Sequence, residues 1–217
     1  MKKAKLLIAL LVLLGAASVA EAQIVVSSTT ASTYREKTLS GREKGLVIRP
    51  EVELGKGPQI NMLFGINGTI VYQFNPYFAI GGGIGYDYQK NIYDKVESNA
   101  SWMPIFFNAR AYFCDRKWSP FFDVKIGYNI PVKEGVMKED YGYRVHTTIE
   151  NIQGFSIGGT LGVQYKGFDI GVTGHALNYL HIYENISQDG SEHNTSTESW
   201  LSFAVTLSVA YNFQFNK

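Results

Sequence analysis

From Trp200 to Phe215 the chain alternates without a break. Leu201, Phe203, Val205, Leu207, Val209, Tyr211, Phe213 and Phe215 form one apolar face, and Ser202, Ala204, Thr206, Ser208, Ala210, Asn212 and Gln214 the other. Period two is the signature of a β-strand with two unlike faces, and about sixteen residues is far beyond an average strand of roughly five or six. The same alternation recurs upstream and predicts seven further strands: 46–54, 61–74, 77–88, 103–113, 120–130, 155–165 and 168–179. Each pairs a face of Leu, Ile, Val, Phe and Tyr with a face of Gly, Ser, Thr, Asn and a few charges.

The connections alternate in length. Asn75-Pro76, Cys114–Ser119 and Lys166-Gly167 are short; Lys90–Ser101, Pro131–Gln153 and Leu180–Ser199 are long and polar. Gly55–Gln59 is the exception, short where a long connection is expected. An even number of strands with short turns on one rim and long loops on the other is the pattern of a membrane barrel. Volume fixes which face points in. The interior of an eight-stranded barrel is only wide enough for side chains to fill it, so eight faces of large apolar residues must point outward. A soluble ligand-binding barrel would need the opposite orientation.

Aromatic residues collect near strand ends: Trp118, Tyr165, Phe168, Phe213 and Phe215 toward the short-turn rim, and Tyr86, Tyr88, Trp102, Tyr128, Tyr179 and Trp200 toward the other. They are expected to form two membrane-interface girdles. No apolar run after the N-terminus reaches the ~20 residues of a spanning helix, which leaves a closed barrel as the spanning structure. The expected fold is all-β: an eight-stranded antiparallel up-and-down transmembrane β-barrel over 46–217.

Composition adds the compartment. Lys2, Lys3 and Lys5, the apolar run Leu6–Leu14 and Ala20-Glu21-Ala22 read as a secretory signal peptide over 1–22. Residues 23–45 are polar, without a sustained period, and read as a flexible N-terminal extension. Cys114 is the single cysteine, so no internal disulfide is available. A net charge of +1 gives no basic field for nucleic acid.

NPYFAIGGGIGYDY, SPFFDVKIGYNI and the terminal AYNFQF resemble the small bacterial outer-membrane β-barrel family that includes OmpX-like and opacity-type barrel domains. The resemblance runs from Leu46 to Phe215 and carries no catalytic signature. It implies a Gram-negative-type outer membrane, surrounding lipid, and recognition of the C-terminal aromatic strand by the barrel-assembly machinery. Asn216 and Lys217 follow that strand, a small departure from the family's ending.

Inward parity assigns Arg49, Glu51, Glu53, Arg110, Asp123, Lys125, Asp169 and His175 to a lumen charge network, with Arg110 and Asp123 opposite each other across the 114–119 turn. Buried charges need partners, so a salt-bridged plug is expected in preference to a solute path. Some small outer-membrane barrels are lipid A deacylases with a His-x-Ser-Asn motif. Here the sequence is His175-Ala176-Leu177-Asn178, and leucine at the nucleophile position has no hydroxyl to activate. His181, Glu184, Asp189, Glu192 and His193 match no metal-ligand spacing. The expectation is therefore a non-enzymatic barrel without cofactor or metal, structural or surface-interacting, its long loops meeting an extracellular protein or host ligand. A narrow small-solute pore is the alternative, and a lipid A-modifying enzyme ranks third.

Overall fold

The computed structural model describes residues 39–58, 60–93, 96–140, 144–187 and 193–215. The signal-peptide reading, most of the 23–45 extension and the last two residues lie outside them. The strands are β1 (Gly45–Gly57), β2 (Ile60–Asn75), β3 (Phe78–Tyr93), β4 (Val96–Tyr112), β5 (Trp118–Lys133), β6 (Gly135–Asp140), β7 (Arg144–Tyr165), β8 (Phe168–Ser187), β9 (His193–Tyr211) and β10 (Phe213–Phe215). Breaks at Glu134 and Asn212 separate β5 from β6 and β9 from β10, so ten strands make eight staves.

Every pairing is antiparallel. The sheet closes on itself: β1 pairs with β2 on one edge, and with β9 (Glu51↔Ala210 to Lys56↔Val205) and β10 (Leu46↔Phe215) on the other. The fold is thus a closed eight-stave antiparallel β-barrel. Closure gives the backbone of the wall a partner on both sides, which open sheets cannot do.

The alternation maps onto inside and outside. Val52, Leu54, Ile66, Ile70, Ile80, Phe107, Phe122, Leu161, Ile170, Leu201, Val205 and Leu207 are all exposed on the outer wall, while Arg49, Thr69, Asp123, Thr173 and Thr206 are buried on the inner one. Glycine makes room where the inner wall carries a large ring. A Cβ on Gly83 would lie 2.6 Å from the Phe106 ring, and one on Gly162 would lie 2.5 Å from the Phe121 ring.

The long connections differ from expectation. Lys90–Ser101, Pro131–Gln153 and Leu180–Ser199 are largely strand. β3 and β4 pair up to Tyr93↔Val96, β6 pairs with β7 over Gly135–Glu150, and β8 and β9 pair up to Ile186↔His193. They are polar because their inner face carries buried polar side chains such as Asn91, Ser98 and Glu150 and, over 194–199, both faces are exposed, so composition resembled that of loops. Two irregularities mark where the staves pass from the wall into these hairpins. The β4–β5 register shifts between Ser101 and Trp102, and the β7–β8 register between Ile152 and Ser156, with Gly154 at φ 95°. β-Bulges of this kind re-aim side chains and bend a stave.

Candidate functional site: a filled lumen

The inner face brings the charged residues together in two tiers. Nearer the short turns, Arg110 pairs directly with Asp123 in the β4–β5 register. Its Nε donates to Asp123 Oδ2 at 2.6 Å, and its Nη1 donates to Asp169. Arg49 on β1 reaches the same Asp123 carboxylate at 3.2 Å and donates to Asn108 Oδ1 at 2.8 Å. The Arg110 guanidinium also lies 3.9 Å from the centre of the Phe121 ring. Arg49, Arg110, Asp123 and Asp169 are almost fully buried, and the pairing offsets a desolvation cost that lone charges could not meet.

Higher up, Lys125 Nζ donates to Glu51 and, at 2.8 Å, to Glu53 Oε1. Glu53 is the hub. Its Oε2 lies 2.8 Å from His175 Nε2 and accepts from Thr206 Oγ1 at 2.8 Å, and its Oε1 accepts from Asn67 at 3.0 Å. All eight charges assigned to the lumen from parity therefore lie in these two tiers. Asn67, Asn108, Thr206 and Asp87 are additional members. Asp87 shares the parity of Gly83 and Gly85 and lines a cavity of about 30 Å³ with Glu53, Asn67, Lys125 and His175, room for about one water.

Above the charges the lumen turns apolar. Ile60, Leu63, Trp102, Ile152, Leu177, Tyr179 and Ala204 pack together, with Trp200 against them. This corrects the girdle assignment for three residues. Trp102 is 1% exposed and Tyr179 0%, while Trp200 is half-buried with its ring 6.0 Å from that of Tyr179. Strand parity carries the reason: Trp102 shares it with Asn108 and Arg110, Tyr179 with Thr173 and His175, Trp200 with Ser202 and Thr206. Position along the stave suggested a girdle, but parity points inward. Tyr86, Trp118, Tyr128, Tyr165, Phe168, Phe213 and Phe215 are exposed on the outer wall, and Tyr88 is half-exposed with its hydroxyl 2.9 Å from Asn99 Oδ1. Beyond the apolar tier, Glu150 accepts from Ser98 at 2.8 Å and Asn91 at 3.2 Å, and Gln89 and Asn91 both donate to the Tyr179 hydroxyl.

The short-turn end has its own closure. Arg42, inside the segment read as an extension, is 6% exposed. Its Nε donates to Pro76 O at 2.9 Å, its Nη1 to Gln164 Oε1 at 2.8 Å and its Nη2 to Cys114 O, while its guanidinium lies 4.2 Å from the centre of the Tyr112 ring. Asp115 accepts from the amides of Leu39 (3.2 Å) and Ser40 (2.9 Å). Partial burial works to raise the Asp115 pKa, but the Ser40 and Leu39 bonds and Arg42 outweigh it and hold the carboxyl below its ordinary value. Residues 39–44 thus form a strap across the mouth, over a vestibule of about 190 Å³ lined by Gln73, Tyr112, Gln164 and Gln214. Nothing in the hydropathy pattern marks this strap, because its bonds run to turns distant in sequence.

His175 Nε2 lies 2.8 Å from Glu53 Oε2 and 3.0 Å from Thr206 Oγ1, and Leu177, which stands where the deacylase motif has its serine, is buried in the apolar tier. Among the described residues no group of three or more His, Cys, Asp or Glu is placed to hold a metal ion.

No protein-family model and no curated protein sequence matches the chain. Among solved structures, the chain is similar to the outer membrane protein OprG from Pseudomonas aeruginosa. The TM-score is 0.53 and the identity 8%, over 82% of this chain and all of that one. AlkL, an outer membrane protein solved in lipid bilayers, aligns more loosely, with a TM-score of 0.45 and 11% identity over 87% of this chain and 99% of that one. The likeness to OprG is one of fold: a closed barrel of the outer-membrane type.

Proposed function

We propose that the chain is an integral outer-membrane barrel that does no chemistry, and that it works by displaying rigid β-hairpins at the cell surface. The outer wall supports the membrane assignment, since a contiguous apolar band around a barrel far exceeds the few hundred Å² that soluble monomers expose. Short turns then face the periplasm and the β3–β4, β6–β7 and β8–β9 hairpins face outward. The filled lumen is the observation that carries the rest of the reading: among the described residues, the strap, two ionic tiers and an apolar tier pack side chains into the barrel interior.

Intact cells expressing the wild type are compared with a variant shortened at 91–99, 135–150 and 182–198. Capture of an extracellular protein or host ligand by the wild type and its loss in the variant is the expected result, with no steady conductance from either in planar bilayers. Reproducible single-channel steps from the wild type would replace this reading with the narrow solute pore. A change in lipid A mass on expression would replace it with the enzyme.

A further inference from the structure

The short-turn rim is chemically lopsided. The β2–β3 turn at Asn75–Tyr77 carries aromatics beside it but no charge. The β4–β5 and β7–β8 turns carry Arg116, Lys117 and Lys166, all exposed, and they touch: Lys166 N donates to Lys117 O at 3.3 Å. The Asp115 carboxylate in the same turn is engaged by the strap amides and stands as the nearest acidic group on that turn.

Directly above these cations the outer wall presents an unbroken aromatic row. Trp118 pairs with Tyr165, and Tyr165 with Phe168, across three adjacent staves, and all three rings are about half exposed. The Lys166 ammonium lies 5.3 Å from the centre of the Tyr165 ring, so the side chain lies along the outer wall. Lys166 also sits at φ 48°, the first position of the two-residue Lys166-Gly167 turn, where Asn or Gly fits without strain. A strained backbone position occupied by a charged residue is a reason to look for function there.

We propose that Arg116, Lys117 and Lys166 form a headgroup site for an anionic phospholipid, the phosphodiester held by the three cations and the acyl chains lying against Trp118, Tyr165 and Phe168. The site rests on the membrane-barrel reading, which sets the short turns at the phospholipid leaflet. Basic residues near a bilayer surface each add to the binding of anionic lipid, and aromatic rings sit at the headgroup level. Arg116, Lys117 and Lys166 are gathered on two touching turns, whereas the other exposed cation described at this end, Lys44, belongs to the strap, which makes this a site rather than a uniform belt.

The test uses the full chain in nanodiscs of phosphatidylglycerol and phosphatidylcholine, with retained lipid read by native mass spectrometry. The wild type is expected to retain phosphatidylglycerol preferentially. The Arg116→Gln/Lys117→Gln/Lys166→Gln variant should lose roughly tenfold or more of that preference, and Lys133→Gln, an exposed lysine at the other end of the barrel, none of it. Lys166→Asn gives a second readout, because asparagine suits the turn. Its unfolding midpoint should hold or rise while lipid retention falls. Equal retention of both lipids by the wild type, or unchanged retention in the triple variant, overturns the proposal. So does competition by millimolar inorganic phosphate as effective as that by the lipid, since the site would then read a free phosphate. A chain that enters no bilayer at all breaks the barrel reading, visible separately as loss of heat-modifiable gel mobility.

Discussion

The two ends of the lumen solve one packing problem by opposite means. Toward the short turns, Arg49, Arg110, Asp123 and Asp169 fill the barrel with paired charge; toward the hairpins, Ile60, Leu63, Trp102, Ile152 and Leu177 fill it with hydrocarbon. Charged pairs are directional and depend on each partner being present. An apolar cluster tolerates changes of shape that keep its volume. The lower tier should therefore be brittle and the upper tier forgiving, although both fill the same lumen.

The largest expected effect is at Asp123, which serves Arg49 and Arg110 together. Asp123→Ala leaves two buried guanidiniums short of a partner and should cost about 3–5 kcal/mol, read as a lower urea midpoint of the refolded barrel. A loss below about 1 kcal/mol would mean that water replaces the carboxylate, and the contrast between the tiers would fail. On the outer wall, Leu207→Lys near the middle of the apolar band should cost roughly 2–4 kcal/mol in bilayer-coupled unfolding, whereas inward Thr206→Ser should cost little. In the upper tier, Leu177→Met keeps the volume and should cost less than about 1.5 kcal/mol, measured in the same assay. Tyr179→Phe leaves the Gln89 and Asn91 donors without their shared hydroxyl and should cost about 1–3 kcal/mol.

The smallest effect concerns the strap. Because the Asp115 pKa is depressed in the folded chain, its contribution is complete above the ordinary carboxylate pKa and is lost as pH falls through the lowered folded value. The strap should hold at neutral pH and loosen only in acid. Asp115→Asn removes the charge at neutral pH and should speed tryptic cleavage after Arg42 while leaving the barrel intact. Unchanged protection would show that Arg42 alone holds the strap.

The comparison also separates what parity conveys from what position conveys. Counting back from the 114–119 turn set Arg110 opposite Asp123. Parity left Asp87 out but placed the eight charges it assigned on the inner face, because a period of two leaves no freedom once one face is known. It equally marked Trp102, Tyr179 and Trp200 as inward, against the girdle suggested by their height on the staves. Polarity misled over the hairpins: both faces of β9 from Asn194 to Ser199 are exposed, so no apolar alternation advertises the strand.

By itself, the sequence determined the number of staves, the inward and outward alternation of the wall below the hairpins and the class of barrel, because alternation and interior volume are local and additive constraints. The tertiary structure alone decided the rest. The convergence of Glu51, Glu53, His175 and Lys125 depends on how β1, β5 and β8 sit around a closed ring. The strap depends on Arg42 reaching Pro76, Cys114 and Gln164, and the cationic site on two turns nearly fifty residues apart coming into contact. Closure of the ring fixes those distances, and no period along the chain encodes them.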